Sequence, residues 1–216
     1  MTADLRAVLF DFGGVILSSP IDAFRAYEQA MQLPAGFLQR LNSLNPDANA
    51  WACMERGELD EPTFHDRFEA EGRALGHAFD SRTVLSQITG EIRSDMVDVV
   101  RNLRPRYRVA CLTNNMPIRL GPAMAASSQR AAELAEIMAL FEHVVESSKL
   151  GTRKPEPRFF VRACEIVGVA PEHCVFLDDL GINLKPARAM GMTTIKVGDP
   201  AQAIADLEAV LGHPVR

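Results

Sequence analysis

Five short apolar runs, mostly without polar alternation, limit what this chain can fold into more than any other feature. They are Ala7-Val8-Leu9-Phe10, Val109-Ala110-Cys111-Leu112, His143-Val144-Val145, Cys174-Val175-Phe176-Leu177 and Thr193-Thr194-Ile195-Lys196-Val197. A strand that is apolar at successive residues buries both faces, which suits a parallel sheet covered by helices on each side. Segments with helical spacing fall between the runs: Met96 to Leu103, Ala131 to Phe141, Phe159 to Val167 and Ile204 to Leu211. Pro157 sits at an expected first turn, and Gly168 and Gly212 follow expected helix ends, as helix punctuation requires. Strand–helix alternation of this kind specifies an α/β fold, a doubly wound Rossmann-like parallel sheet.

The rhythm breaks once. From Ser18 to Asp95 no strand pattern occurs, only amphipathic pieces: Ile21 to Met31, Gly36 to Leu41, Ala48 to Arg56 and Pro62 to Leu75. Ser19-Pro20 and Asp60-Glu61-Pro62 read as helix starts. The interval is far too long for a simple crossover. Residues 18–95 are therefore expected to form a helical subdomain inserted after the first strand, in preference to a larger all-helical half of the same domain. Residues 1–17 and 96–216 would make the Rossmann-like core.

Composition sets the outer bounds. The 216 residues are 47% hydrophobic and 24% charged, enough for a core that folds without covalent or metal staples. Cys53, Cys111, Cys164 and Cys174 form no CxxC pair, and the five histidines have no metal-binding spacing, which excludes a disulfide framework or zinc site. A net charge of −5 argues against a nucleic-acid partner. No apolar stretch approaches the roughly 20 residues a membrane span needs. Met1 to Arg6 lead straight into the first run without a secretory pattern, so the expected setting is the cytosol. No motif speaks to oligomeric state.

Chemistry is expected at the strand ends, because ligands of an open parallel sheet bind outside the carboxyl ends of its strands. The first run ends at Asp11, followed by Phe12-Gly13-Gly14, and the second at Thr113-Asn114-Asn115. The fourth ends at Asp178-Asp179, with Asn183 shortly after, and Lys154 precedes Pro155 after the third. This set suits phosphoryl transfer through an aspartate, whose charge must be offset against that of the phosphate. Magnesium held by Asp11 and Asp179 would supply the offset. Thr113 and Asn114 could donate hydrogen bonds to phosphate oxygens, and Lys154 could neutralise the remaining charge. Singly, each piece has a plainer reading: a turn at Asp11, a polar turn at Thr113-Asn114-Asn115, a helix cap at Asp178-Asp179. Their order and shared placement favour the joint reading.

These residues also carry a resemblance. Asp11-Phe12-Gly13-Gly14-Val15, Leu112-Thr113-Asn114-Asn115, Lys154-Pro155-Glu156-Pro157 and Phe176-Leu177-Asp178-Asp179 together resemble the haloacid dehalogenase superfamily, almost end to end. The C-terminal half is similar to the phosphatase domain of soluble epoxide hydrolases and the related domain fused to animal acyl-CoA dehydrogenases. The helical interruption matches the cap domain of that group in position. The resemblance implies that Asp11 is the nucleophile and a magnesium ligand, with Thr113, Asn114 and Lys154 on the phosphate. It implies Asp179 as a direct metal ligand, the backbone carbonyl of Gly13 as another, Asp178 acting through water, and Asn183 orienting the pair. The substrate implied is a small-molecule phosphate ester.

Gly13 departs from the pattern. Phosphatases of the family usually place a second aspartate there as general acid and base, help typically worth about a hundred- to ten-thousand-fold. A cap residue such as Glu58 or His65 could replace it, or the leaving group could need little protonation. Trp51, Phe64 and Phe68 have the helical spacing of a cap core, and could otherwise line a pocket. A dehalogenase would need no metal and gives Asp178-Asp179 no purpose. A receiver domain would carry its acidic pair near the first strand and no long cap. The alternative from another class is a slow or inactive phosphate-ester binder or regulatory protein on the same fold.

Overall fold

The computed structural model describes residues 4–118, 120–121 and 124–216; Met1, Thr2 and Ala3, read above as leading into the first strand, lie outside the described residues. The chain opens with β1 (Ala7–Phe10), then five helices, α1 (Pro20–Ala30), α2 (Phe37–Ser43), α3 (Ala50–Glu55), α4 (Glu61–Ala74) and α5 (Ser81–Gln87). It continues through α6 (Ser94–Leu103), β2 (Arg108–Thr113), α7 (Ser128–Met138), β3 (His143–Glu146), α8 (Ser147–Leu150) and α9 (Pro157–Val167). It ends with β4 (Cys174–Asp178), α10 (Gly181–Ala189), β5 (Thr193–Lys196) and α11 (Pro200–Leu211).

The strands form one parallel sheet in the order β3-β2-β1-β4-β5. Successive residues of each strand face opposite sides, and both sides are buried. Val8, Phe10, Val109, Cys111, Val175 and Leu177 pack under α6, α7 and α11. Ala7, Leu9, Ala110, Leu112, Cys174 and Phe176 pack under α9 and α10. The twofold period is present in space but hidden in sequence, because each face is apolar. Phe10 pairs with Cys111 on one side and Leu177 on the other, so three strand ends open at one rim. The winding direction reverses between β1 and β4, which makes that rim the switch point of the sheet.

Helix ends follow the expected punctuation: α9 starts at Pro157, and Gly168 and Gly212 close α9 and α11 in the left-handed region. Elsewhere the boundaries move. Helix α7 starts at Ser128, where the Ser127 side chain accepts from the Arg130 N–H, and stops at Met138. Periodicity marks neither α5 nor α10; the second is short and carries Pro186 inside it, a residue that argues against helix.

Helices α1 to α5 bury a separate cluster, built on Phe24, Tyr27, Phe37, Phe64, Phe68 and Phe79 and joined by Met116 from the segment after β2. The chain enters and leaves this unit side by side. Ser18 N donates to Glu91 O at 2.8 Å and Arg93 N to Ile16 O at 2.9 Å, leaving Leu17 opposite Ile92. Among the described residues no helix is long and apolar enough to cross a membrane.

Candidate active site

Asp11 is the first residue past β1, and its N–H extends the sheet by donating to Leu177 O at 2.8 Å. Its Oδ1 accepts from Phe12 N at 2.7 Å and lies 2.8 Å from Lys154 Nζ. The same ammonium, 1% exposed, donates to Asp178 Oδ2 at 2.8 Å. Asp178 ends β4 and is fully buried. Asn183 Nδ2 reaches both its oxygens, at 3.0 and 3.1 Å, and Leu180 N donates to Oδ1 at 2.8 Å. The start of α10 therefore holds Asp178 in place. Asp179, one residue on, turns toward the cavity and accepts from Ser19 Oγ at 3.0 Å.

Carboxylate oxygens of Asp11, Asp178 and Asp179 all lie within 4.8 Å of one another. Burial pushes the Asp11 carboxyl well above the usual carboxylate range; Lys154 pulls it back in part and Asp178 adds to the rise. Burial, then Asp178, also raises Asp179. Burial alone would lower Lys154, but Asp11 and Asp178 outweigh it and hold the ammonium above its ordinary value. Three carboxyls around one ammonium leave the cluster short of positive charge. All its donors are hard oxygens, the set that magnesium prefers.

The two glycines after Phe12 play different parts. Gly14 has φ +83°, and a Cβ there would fall 2.2 Å from the Asp179 carboxylate, so close approach is required at this position. Gly13 lies outside the left-handed region, and a Cβ would meet only Pro20 Cδ, at 3.8 Å.

Thr113 ends β2 and lines the cavity. Asn114 lines it too, but its side chain is already engaged. Nδ2 donates to Lys154 O at 3.0 Å and Glu55 Oε2 at 3.1 Å, and Oδ1 accepts from Lys154 N at 2.9 Å. The cavity, about 640 Å³, lies between the strand ends and the helical unit. Its wall combines apolar Ile21, Phe24, Trp51 and Ile182 with polar Gln39 and Asn42.

The structure thus gathers Asp11, Gly13, Thr113, Asn114, Lys154, Asp179 and Asn183 around one cavity, with Asp178 directly behind. It does not bring Glu58 or His65 there. Glu58 is exposed and paired with Arg56 at 2.6 Å, and His65 is buried in α4 against Ser81 Oγ at 2.7 Å. The carboxylate that α3 delivers to the cavity is Glu55, its last residue. Nothing in the sequence pattern marks Arg153 for the site, and Ser19 is marked there only as a helix start. The one available signal for Glu55 was its place four residues after Trp51, whose Nε1 donates to Glu55 Oε1 at 2.8 Å. Phe64 and Phe68 are stacked at 5.3 Å inside the helical unit, whereas Trp51 faces the cavity.

Residues 5–191 match the family model of haloacid dehalogenase-like hydrolases. The chain is 30% identical, over 97% of its length, to acyl-CoA dehydrogenase family member 10 of Mus musculus. It is 30% identical, over 96%, to bifunctional epoxide hydrolase 2 of the same species. It spans only 19% and 39% of those two proteins. A HAD family enzyme of Bacteroides thetaiotaomicron, solved in complex with magnesium and inorganic phosphate, matches with a TM-score of 0.58 at 21% identity. That match covers 90% of this chain and 96% of the other.

Proposed function

The chain belongs to the haloacid dehalogenase-like hydrolases, and we propose that it is a cytosolic, magnesium-dependent phosphohydrolase acting on a small phosphate ester through an aspartyl-phosphate on Asp11. The observation that carries this reading is the cluster of Asp11, Asp178 and Asp179 with Lys154 bridging the first two. The magnesium and phosphate in the Bacteroides enzyme lend support from a protein of like fold. Residues 18–95 act as the cap over the site, and residues 1–17 and 96–216 as the catalytic core.

Asp11, Asp179 and the Gly13 carbonyl would hold the metal, which when bound offsets the charge of the phosphate against that of the carboxylates. The Asp11 carboxylate attacks phosphorus as the ester P–O bond breaks. Lys154 and the Thr113 hydroxyl steady the equatorial oxygens, where charge is spread in the transition state. Asn114 keeps Lys154 in register. Gly13 offers no proton, so the leaving oxygen departs with its charge and is protonated by water. A second water then attacks the aspartyl-phosphate, releasing phosphate and restoring the carboxylate.

Turnover of an aryl phosphate with and without magnesium tests the proposal. Phosphate release is expected to require the metal and to vanish in Asp11→Asn with the fold intact; unchanged turnover in that variant would sink the mechanism. The open space at Gly13 favours a second reading, a phosphate-ester binder or regulatory protein with little or no turnover. A binder would show ligand-dependent thermal stabilisation and release no phosphate.

A further inference from the structure

The end of α3 brings a buried carboxylate, Glu55, against the core. It is 7% exposed. Its Oε2 accepts from Asn114 Nδ2 at 3.1 Å and from Arg153 Nε, while Oε1 accepts from Trp51 Nε1. Both oxygens of this little-exposed side chain are hydrogen-bonded, as burial of a polar group requires, and Arg153 forms an ion pair with it. The backbone is tied down as well. Ser147 Oγ donates to Glu55 O at 2.6 Å, and a Cβ at Gly57 would fall 2.7 Å from Ser148 O. This end of the cap rests directly on α8.

Both core partners of the carboxylate lead to Lys154. Arg153 is its chain neighbour. Asn114 grips the Lys154 backbone at N–H and C=O together, so that stretch cannot shift without breaking Asn114's hold. Asn114 in turn cannot rotate without leaving Glu55. At the far end, Lys154 Nζ stands between Asp11 and Asp178. At the near end, Trp51 forms part of the cavity wall. Apolar residues would pack a cap against a core equally well; what a satisfied polar chain adds is one defined arrangement.

We infer that Glu55 is a positioning residue, coupling the seated cap to the placement of the Lys154 ammonium between Asp11 and Asp178. The inference rests on the phosphohydrolase reading for its consequence in rate, but not for its consequence in geometry. With the cap seated, Asn114 and Arg153 are both held and the lysine is in place. Without Glu55, the segment carrying it loses its cap-side anchor.

The test compares wild type with Glu55→Ala, and with Glu58→Ala as an exposed cap carboxylate away from the cavity. Acetyl phosphate, whose leaving group is small, and an aryl phosphate are the substrates. In Glu55→Ala kcat should fall on acetyl phosphate by on the order of 100-fold, the scale of a misplaced catalytic group. KM should stay within about twofold, and Glu58→Ala should match wild type on both substrates. Crystal structures of wild type and Glu55→Ala should show Lys154 Nζ bridging both carboxylates only in the former. A loss confined to the aryl phosphate would make Glu55 a leaving-group contact and overturn the inference, as would an unmoved lysine with unchanged kcat. A wild type that turns over neither substrate would refute the phosphohydrolase reading, while the position of Lys154 in the variant would still decide the positioning role. If Glu55→Ala does not fold, Glu55→Gln carries the same comparison: it keeps the length but removes the charge that pairs with Arg153 and leaves one acceptor oxygen for three donors.

Discussion

At Gly13 the backbone could carry a carboxyl beside the cavity. With only Pro20 Cδ near a would-be Cβ, at 3.8 Å, Gly13→Asp should melt close to wild type. It should raise turnover of alkyl phosphates by about tenfold or more if the new carboxyl reaches the bridging oxygen. Wild type should cleave aryl and acyl phosphates far faster than alkyl ones, since the leaving oxygen must bear its own charge. Steady-state kinetics on a matched alkyl and aryl pair checks both statements; similar wild-type chemical-step rates would mean another group supplies the proton. The two neighbouring aspartates also separate at this scale. Asp178 is sealed behind Lys154, Asn183 and the Leu180 N–H, whereas Asp179 faces the cavity with Ser19 as its hydrogen-bond donor. Asp179→Ala should therefore weaken magnesium binding more than Asp178→Ala in a calorimetric titration. The reverse order would assign direct ligation to Asp178.

Elements explain why the sheet was legible and parts of the site were not. Strands such as Ala7–Phe10 and Cys174–Asp178 are readable because burial on both faces leaves an unbroken apolar run. Their ends then display Asp11, Thr113 and Asp178-Asp179 at one rim by topology alone. Helix α10 is masked by Pro186, although it supplies the Asn183 that holds Asp178. Glu55 meets Asn114 and Arg153 across 59 and 98 residues of chain, and no local periodicity encodes such a meeting. Helix α1 uses a carboxylate across a shorter span. Helix α2 begins after Gly36, which has no side chain to cap it. Instead buried Glu28 of α1 accepts from Gly36 N at 2.7 Å and Leu38 N at 2.8 Å, supplying a negative group at a helix N-terminus. Glu28→Ala strands two amide donors and should cost about 2 kcal/mol or more in urea unfolding. An unchanged midpoint would show that water replaces the cap without loss.

For the whole molecule, the site sits where β1, β2 and β4 end together and the unit of α1 to α5 leans on the loop after β2 and on α8. A cation among Asp11 and Asp179 would join segments far apart in sequence, so binding should stabilise the entire fold. At magnesium 100 times its dissociation constant the gain is about 2.7 kcal/mol. Melting temperature should rise with magnesium in wild type and barely move in Asp179→Ala; equal shifts in both would place the ion elsewhere. The central claim is that the phosphoryl group passes through Asp11, and one measurement meets it directly. Wild type is mixed with an aryl phosphate and magnesium, quenched in acid during the first turnover, and its peptides are weighed. The account predicts a phosphoryl group on the peptide containing Asp11, formed and lost at rates compatible with turnover and absent from Asp11→Asn. Turnover with no phosphorylated peptide, or with the label on another residue, would contradict it.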